Sequence, residues 1–569
     1  MHMRSHRLAG ALLAVLLGGC FASGPAQRAD RYDLIVRNGM VYDGSGGAAR
    51  QADVGIRGDR IAAIGDLANA RGRREIDAKG HAVAPGFINV LSWAPDALIA
   101  DGRSMSDILQ GVTLEVFGEG WSYGPLTAAM KKEARDEQGD IRYAITWTSL
   151  GEFMTWLEKR GISPNIASFV GASTVRQNVL GNANRAPAPA ELERMQALVR
   201  EAMEQGALGV ASALIYFPGS YAKTDELTAL ATAAAPYGGA YISHLRSEGD
   251  RLLQGIDELV GIARAAGVHA EIYHLKAAGR DNWPKMREAI ARIDAARARG
   301  LSISANMYAY TAGATGLNAC MPPAVQEGEL DAWIGRLKDP VVRAQLVTEM
   351  RQPGKDWENL CYMAGDPGNV VLIGFKNAKL KPMTGKTLAD VARLRGTSPE
   401  DAAIDLVIED HAHVDTAFFL MSEDNVKLGL SQTWTALGSD EGSFVPAGVF
   451  LKSQPHPRAY GNFARFLGRY VRDEQVDTLP DAVRRLSGLP ADNFKLRDRG
   501  YLKDGYHADL VVFDPATIAD HARYDDPRKF ATGVSEVVVN GVEVVRDGRH
   551  TGAKPGRFVP GPGYRIKGN

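Results

Sequence analysis

Cysteine is scarce, with three residues in a chain of 569 and none at CxxC spacing. A disulfide scaffold, thiol redox chemistry and a cysteine-rich zinc site are therefore all excluded. Net charge is missing too: 66 Lys and Arg stand against 67 Asp and Glu, a formal charge of -1. No basic face able to grip a polyphosphate backbone is implied, so nucleic acid is not an expected partner. Beyond the first 20 residues no stretch approaches about 18 consecutive apolar residues, which leaves no transmembrane helix. Solenoid repeats and low-complexity tracts are also absent. What is present is an ordinary globular balance of 45% hydrophobic, 23% charged and 8% aromatic residues, which rules out disorder as the main state. Glycine, 62 residues, exceeds the average without a collagen period, so it serves turns and crowded backbone. At about 150 residues per domain the length allows nearly four domains, but one large α/β barrel with an accessory domain fits as well.

The N-terminus reads as an address. Arg4 and Arg7 precede an apolar run from Leu8 to Leu17 that ends Leu17-Gly18-Gly19-Cys20. That run has the length of a signal-peptide core, and the ending resembles a bacterial lipobox. Residues 1–19 are expected to be removed, Cys20 to carry lipid, and residues 20–30 to form a tether. Phe21, where an Asp would resemble an inner-membrane retention signal, favours the outer membrane. The expected location is the periplasmic side of a bacterial cell envelope, with membrane contact only through the anchor. Cys320 and Cys361 would meet an oxidising compartment, and their pairing is left open.

From Tyr32 the chain alternates as short strands, with Asn38-Gly39 read as a hairpin-type turn. The same texture returns at Ala508–Phe513 and Val534–Val542, the latter containing Asn540-Gly541. Residues 31–84 and 496–555 are therefore expected to form one small β-sandwich domain from both chain ends. Between them, over 85–495, short apolar strands alternate with amphipathic helices, the rhythm of a parallel sheet. Candidate strands are Gly86–Leu91, Thr113–Phe117, Ile166–Val170, Gly209–Ser212, Ala240–Ser243, Ala270–Tyr273, Ser302–Ala305 and Thr435–Gly438. The fold class is α/β, a (β/α)8 TIM barrel. A stretch of about 318–415 is too long for a normal connection and reads as an inserted subdomain.

Functional side chains of such a barrel follow the C-terminal ends of its strands. Gly118-Glu119-Gly120 follows the second strand, His244 the fifth, His274 the sixth and Gly438-Ser439-Asp440 the eighth. Two imidazoles and two carboxylates at one mouth suit a divalent metal hydrolase, because neutral histidine nitrogen and carboxylate oxygen bind Zn2+ and leave a position for water. Tyr216 and Tyr221 flank a Gly-containing turn after strand four. Arg246 and Lys276 each stand two residues beyond a histidine, on the same side by strand alternation. They could bind a substrate carboxylate, or equally form an ion pair with Glu248 or Asp440. Arg458 could reach the site from the loop after strand eight. Ser439 has no adjacent histidine and is not read as a nucleophile. His411-Ala412-His413 is read as a solvated helix-to-strand connection, and His269, His456, His507, His521 and His550 as structural or exposed.

The segments DLIVRNGMVYDGSG, APGFIN, QGVTLEVFGEG, GALGVASALIYFPGSYA, YISHLRSEG, EIYHLKAAG, GSDEG, HPRAYG and LKDGYHADLVVFDPATI together resemble the amidohydrolase superfamily, and within it the N-acyl-D-amino-acid deacylases, over about residues 32–550. The resemblance implies that Glu119, His244 and His274 are metal ligands and that Asp440 is the catalytic aspartate. It also implies a linear N-acyl-D-amino acid or a D-residue-containing dipeptide as substrate, a small amide with a free carboxylate. Alternatives are a cyclic-amide hydrolase of the same superfamily or a binding lipoprotein that has lost catalysis. One departure matters: relatives carry a His-x-His pair after the first strand, serving a second metal position, whereas this chain reads Asn89-Val90-Leu91-Ser92-Trp93. One zinc ion per chain is therefore expected.

Overall fold

The computed structural model describes residues 31–565, so the expected signal peptide and tether, with Cys20, lie outside the described residues. Five strands, Arg31–Val41, Arg50–Arg57, Arg60–Gly65, Arg71–Asp77 and Ala82–Pro85, come from the N-terminal side. Four more, Leu510–Phe513, Val534–Val539, Val542–Arg546 and Arg549–His550, come from the C-terminal side. The sets join where Leu510–Phe513 runs antiparallel to Ala82–Pro85, giving one nine-stranded mixed sheet. Alternation sends Leu34, Val36, Val54, Leu510 and Val512 into a core on one face, while Val511, Phe513, Val537 and Val539 join the core of the central domain. The layer opposite the sheet is thus partly the barrel itself.

Asn38-Gly39 is not a hairpin turn. It lies within the first strand, where the pairing with Gln51–Val54 shifts register between Val36 and Gly39. Asn38 adopts φ 55 and its amide donates to Asp53 Oδ1 at 2.9 Å, a bulge that re-aims the strand. A Cβ on Gly39 would run into Val83, so close packing rather than a chain reversal explains the glycine. Asn540-Gly541, with φ 48 and 79, does make the tight connection between its two strands.

The middle of the chain is the expected barrel. Phe87–Asn89, Val112–Phe117 and Asn165–Ser168 form one parallel run. Val170–Gly171, Gly209–Ala213, Ala240–His244, Ala270–Ile272, Ile303–Met307 and Thr435–Leu437 form a second. The third strand is shared between the runs and broken at Phe169, whose amide donates to Phe117 O at 2.9 Å. Strands one and eight close the ring through Val90 N to Leu437 O at 3.3 Å and a Ser92–Glu441 bridge. Strand two is buried at every position, as parallel strands covered on both faces must be. Beneath the opposite end of the barrel, residues 556–565 run past strands three and four, held by Val559 N to Ile166 O and Gly561 N to Gly206 O.

The insert is wider than 318–415 at both ends. Its own antiparallel sheet takes Ala312–Gly316 and Asp415–Phe419 as flanking strands, with Val370–Gly374 paired to the latter. Helices including Leu330–Leu337, Pro340–Met350, Leu388–Arg395 and Pro399–Glu409 complete it around a separate hydrophobic core. Cys320 and Cys361, both in the insert, form a disulfide.

Candidate metal centre and active-site cleft

Glu119 is swung inward by the turn after strand two. Gly118 and Gly120 have φ 111 and 71, and a Cβ on either would collide, with the Phe169 backbone or with Ala213. Only glycine on both sides permits that turn. His244 ends strand five. His274 and Asp440 follow strands six and eight with φ 33 and 52, a backbone region costly for such side chains and typical of sites whose surroundings impose it. Asn306 Oδ1 accepts from His274 N at 2.9 Å, and Leu91 O accepts from Asp440 N at 2.9 Å.

These turns bring three donors to one point. Glu119 Oε1 lies 2.8 Å from His274 Nε2 and 3.1 Å from His244 Nδ1, and the imidazoles stand nearly perpendicular with centroids 4.5 Å apart. Ligand atoms of all three residues lie within 4.8 Å of one another, and among the described residues this is the one such group. All three side chains are buried, and His244 Nε2, with no hydrogen bond of its own, stands 3.6 Å from Glu248 Oε2. Two imidazoles and a carboxylate converging on one oxygen fit a divalent ion bound by three protein ligands.

Charge partners tune the cluster. Lys276 Nζ donates to Glu248 Oε1 at 2.6 Å and lies 2.8 Å from His274 Nδ1, and Glu248 Oε1 is 2.9 Å from His274 Nδ1. Burial alone would raise Glu119 and Glu248. For Glu119 the His274 charge and both histidine hydrogen bonds outweigh burial, and for Glu248 the charges of Lys276 and the histidines do, so both fall well below the usual carboxylate range. Burial and Lys276 push His274 down, but Glu248 and Glu119 win and lift it to about 9. Asp440 is raised, chiefly by burial, with Arg458 and His274 opposing. Arg458 is buried and reaches Asp440 Oδ2 at 2.9 Å.

The remaining expected residues divide. Tyr216 packs edge-on to His244 at 5.2 Å and lines the cavity of about 750 Å3 above the cluster. Lys276 and Arg458 line it too. Arg246 does not serve the cluster: Glu258 takes its guanidinium at 2.9 Å through both oxygens, and the Ser220 and Ala222 carbonyls take the rest. Tyr221 packs on Phe217 and does not line the cavity. His411 is exposed, and His413 sits at the cavity rim 3.0 Å from Lys376 Nζ, so this pair joins no ligand group.

Three contributors escape the residue pattern. Trp93 Nε1 donates to Glu119 Oε2 at 3.1 Å and to Asp440 Oδ1 at 3.2 Å. Tyr308 lies under the Arg458 guanidinium at 4.4 Å with its hydroxyl buried and unpartnered. Glu358 reaches from the insert, and its Oε1 accepts from Ser247 Oγ at 2.7 Å, Glu248 N at 2.6 Å and Gly249 N at 2.8 Å. Only Trp93 left a signal, since it stands two residues from Leu91 at the end of strand one.

The amidohydrolase family profile matches residues 74–545. Over 532 residues the chain is 33% identical to D-aminoacylase of Alcaligenes xylosoxydans xylosoxydans, covering 93% of this chain and 97% of that protein. A solved D-aminoacylase, studied for its binuclear metal centre with one-metal activation and second-metal attenuation, superposes with a TM-score of 0.76 at 33% identity, covering 93% of this chain and 100% of that one. N-acyl-D-glutamate deacylase from Bordetella bronchiseptica, solved with zinc and a phosphonate mimic of the tetrahedral intermediate, superposes with a TM-score of 0.76 at 30% identity and the same coverage.

Proposed function

The chain belongs to the amidohydrolase family, and from that membership we propose a metal-dependent deacylase that hydrolyses the linear amide of N-acyl-D-amino acids or of dipeptides containing a D-residue. Glu119, His244 and His274 hold one zinc ion in this reading, and Asp440 carries the proton. The observation that carries it is the convergence of these donors, with Asp440 tied to Glu119 through a single indole N–H. When bound, the ion supplies a Lewis acid that polarises the amide carbonyl and acidifies water.

The protein's own groups do the rest. Asp440 takes a proton from the attacking water and delivers it to the departing amine. Its raised proton affinity suits a group that must be loaded in mid-reaction, and Arg458 fixes its orientation through Oδ2. Tyr216, which burial and then the Glu119 charge keep protonated, offers a hydrogen bond to the developing oxyanion. The substrate carboxylate meets Lys276, Arg458 and Tyr308. Arg458 Nε and Nη1 and Tyr308 Oη are buried without partners, and an anion would satisfy them. We further propose that a lipid anchor at Cys20 holds the protein in the cell envelope, a reading favoured by the Cys320–Cys361 disulfide, since such bonds persist in oxidising compartments.

Purified protein is expected to release amino acid from N-acetyl-D-substrates in preference to their L-forms and to contain one zinc. Asp440→Asn is expected to retain the metal and lose about 10^3-fold or more in kcat. Absence of both metal and turnover across an N-acyl-D-amino-acid panel overturns the proposal.

A further inference from the structure

We propose that Trp93 occupies the role of a second cation: its indole N–H bridges Glu119 and Asp440, positions the proton carrier against the metal ligand, and confines the centre to one ion. The positioning half of this inference rests on the deacylase reading above, while the one-ion half stands on geometry alone.

The placement comes from strand one. Strand one ends at Asn89, and the chain bends at Val90 and Leu91 before Trp93 reaches the barrel mouth. Leu91 is buried, with its Cβ against the space a side chain on Gly438 would need. Trp93 is 45% exposed and lines the cavity. Its backbone is fixed by Trp93 N to Glu441 O at 2.9 Å, so the ring is aimed by the pairing of strands one and eight.

The contacts then divide the oxygens of Glu119. Oε1 faces the two histidines, and Oε2 faces the indole at 3.1 Å. A carboxylate that bridges two ions gives one oxygen to each, and paired ions stand about 3.5–4 Å apart. Here the second oxygen already accepts a hydrogen bond, from a group that also reaches Asp440 Oδ1 at 3.2 Å. One donor thereby ties together carboxylates from strands two and eight. Unlike an ion, the indole adds no formal charge, cannot dissociate and cannot be chelated. Leu91 and Trp93 cannot ligate, and the polar residues beside them are already engaged, Asn89 with Asp107 and Ser439 and Ser92 with Glu115.

The test compares wild type, Trp93→Phe, Trp93→His and Leu91→His/Trp93→His, each stripped of metal and titrated with Co2+ while its visible spectrum is recorded. Wild type and Trp93→Phe are expected to saturate at one equivalent, with the Phe variant's spectrum altered because Glu119 Oε2 is released. The double variant is expected to take a second equivalent; Trp93→His supplies the same comparison, as weaker uptake beyond one equivalent, if the buried Leu91 change prevents folding. With substrate, Trp93→Phe is expected to lose about 10- to 100-fold in kcat while KM stays within about threefold. Two tight equivalents in wild type, or a Phe variant with unchanged spectrum and unchanged kcat, overturn the proposal. If no N-acyl-D-amino acid is turned over by wild type, the deacylase reading falls, and the Co2+ count and spectra still decide the role of Trp93.

Discussion

Around strands five and six, the buried carboxylates Glu119 and Glu248 share their space with His244, His274 and Lys276 and are driven to the ionised form. Beneath strand one the equally buried Asp107 and Glu115 have no cation within reach. Ser92 Oγ donates to Glu115 Oε2 at 2.7 Å, Ser104 Oγ also donates to Glu115, and Asn89 Nδ2 donates to Asp107 Oδ2 at 3.0 Å. Burial raises Glu115 to about 7 despite those hydroxyls, and lifts Asp107 well above the usual carboxylate range with the Glu115 charge adding to it. Residue type and burial are the same on both sides, so the partners decide the charge state. Where cations face carboxylates the barrel mouth has a candidate ligand set, and where only hydroxyls and an amide face them it has a more nearly neutral wall.

The largest break in this contrast comes from the charged side. His274→Ala removes a proposed ligand and the imidazole whose charge does most to keep Glu119 ionised and adds to Lys276 and His244 at Glu248. Zinc content is expected to fall from one per chain toward zero, and activity by more than about 10^3-fold; metal analysis beside an activity assay checks both. A variant that keeps its zinc would mean that the ligand set lies elsewhere. Lys276→Met comes next. It leaves Glu248 buried with only the histidines for company, and breaking one partner from a buried pair costs about 3 kcal/mol or more. A lowered thermal midpoint in metal-free protein and a kcat/KM reduced by about 10^2 are expected, and an unchanged midpoint would place the ammonium outside the electrostatic balance.

Metal loading sharpens the same side with a smaller signal. His274 is cationic in the metal-free protein up to about pH 9, and a histidine ligand must be neutral. Zinc binding near pH 7 is therefore expected to release about one proton, and affinity to rise with pH until His274 is already neutral. Calorimetric titrations in buffers of different ionisation enthalpy read the proton count directly. No release at pH 7 would contradict the cationic His274.

The charged side was readable from residues because histidine and acid types at strand ends carry their chemistry openly. His244, His274, Glu119 and Asp440 needed only the strand rhythm to be assembled, and all eight strand positions followed from short buried apolar runs. The neutral side was not readable. Glu115 lies inside an apolar strand whose pattern gives no hint of the hydroxyls of Ser92 and Ser104, and Trp93, although it faces the charged side, looks like a missing ligand until its N–H is seen between Glu119 and Asp440. Arg246 shows the reverse failure: strand five ends at His244, so alternation does not reach Arg246, and Glu258, twelve residues on in a helix, takes its guanidinium. The insert begins earlier than its sequence suggests because its first flanking strand, Ala312–Gly316, reads AGATG and acquires strand character only by pairing with Asp415–Phe419.

The smallest expected effect, in stability alone, tests the neutral wall. Glu115 binds its proton more tightly folded than unfolded, so its contribution to stability is complete below about pH 4.5 and is lost as pH rises through about 7. Asp107 shifts in the same direction. Glu115→Gln keeps the size and can still accept from one serine, but it has no charge to gain. Wild type is expected to lose up to roughly 3 kcal/mol between pH 5 and pH 8 from this group, and the variant to lose correspondingly less. The difference between the two thermal midpoints should therefore move in the variant's favour as pH increases. Parallel pH profiles for the two proteins would show that Glu115 is ionised throughout, and that the two sides of the mouth differ less than their hydrogen bonds imply.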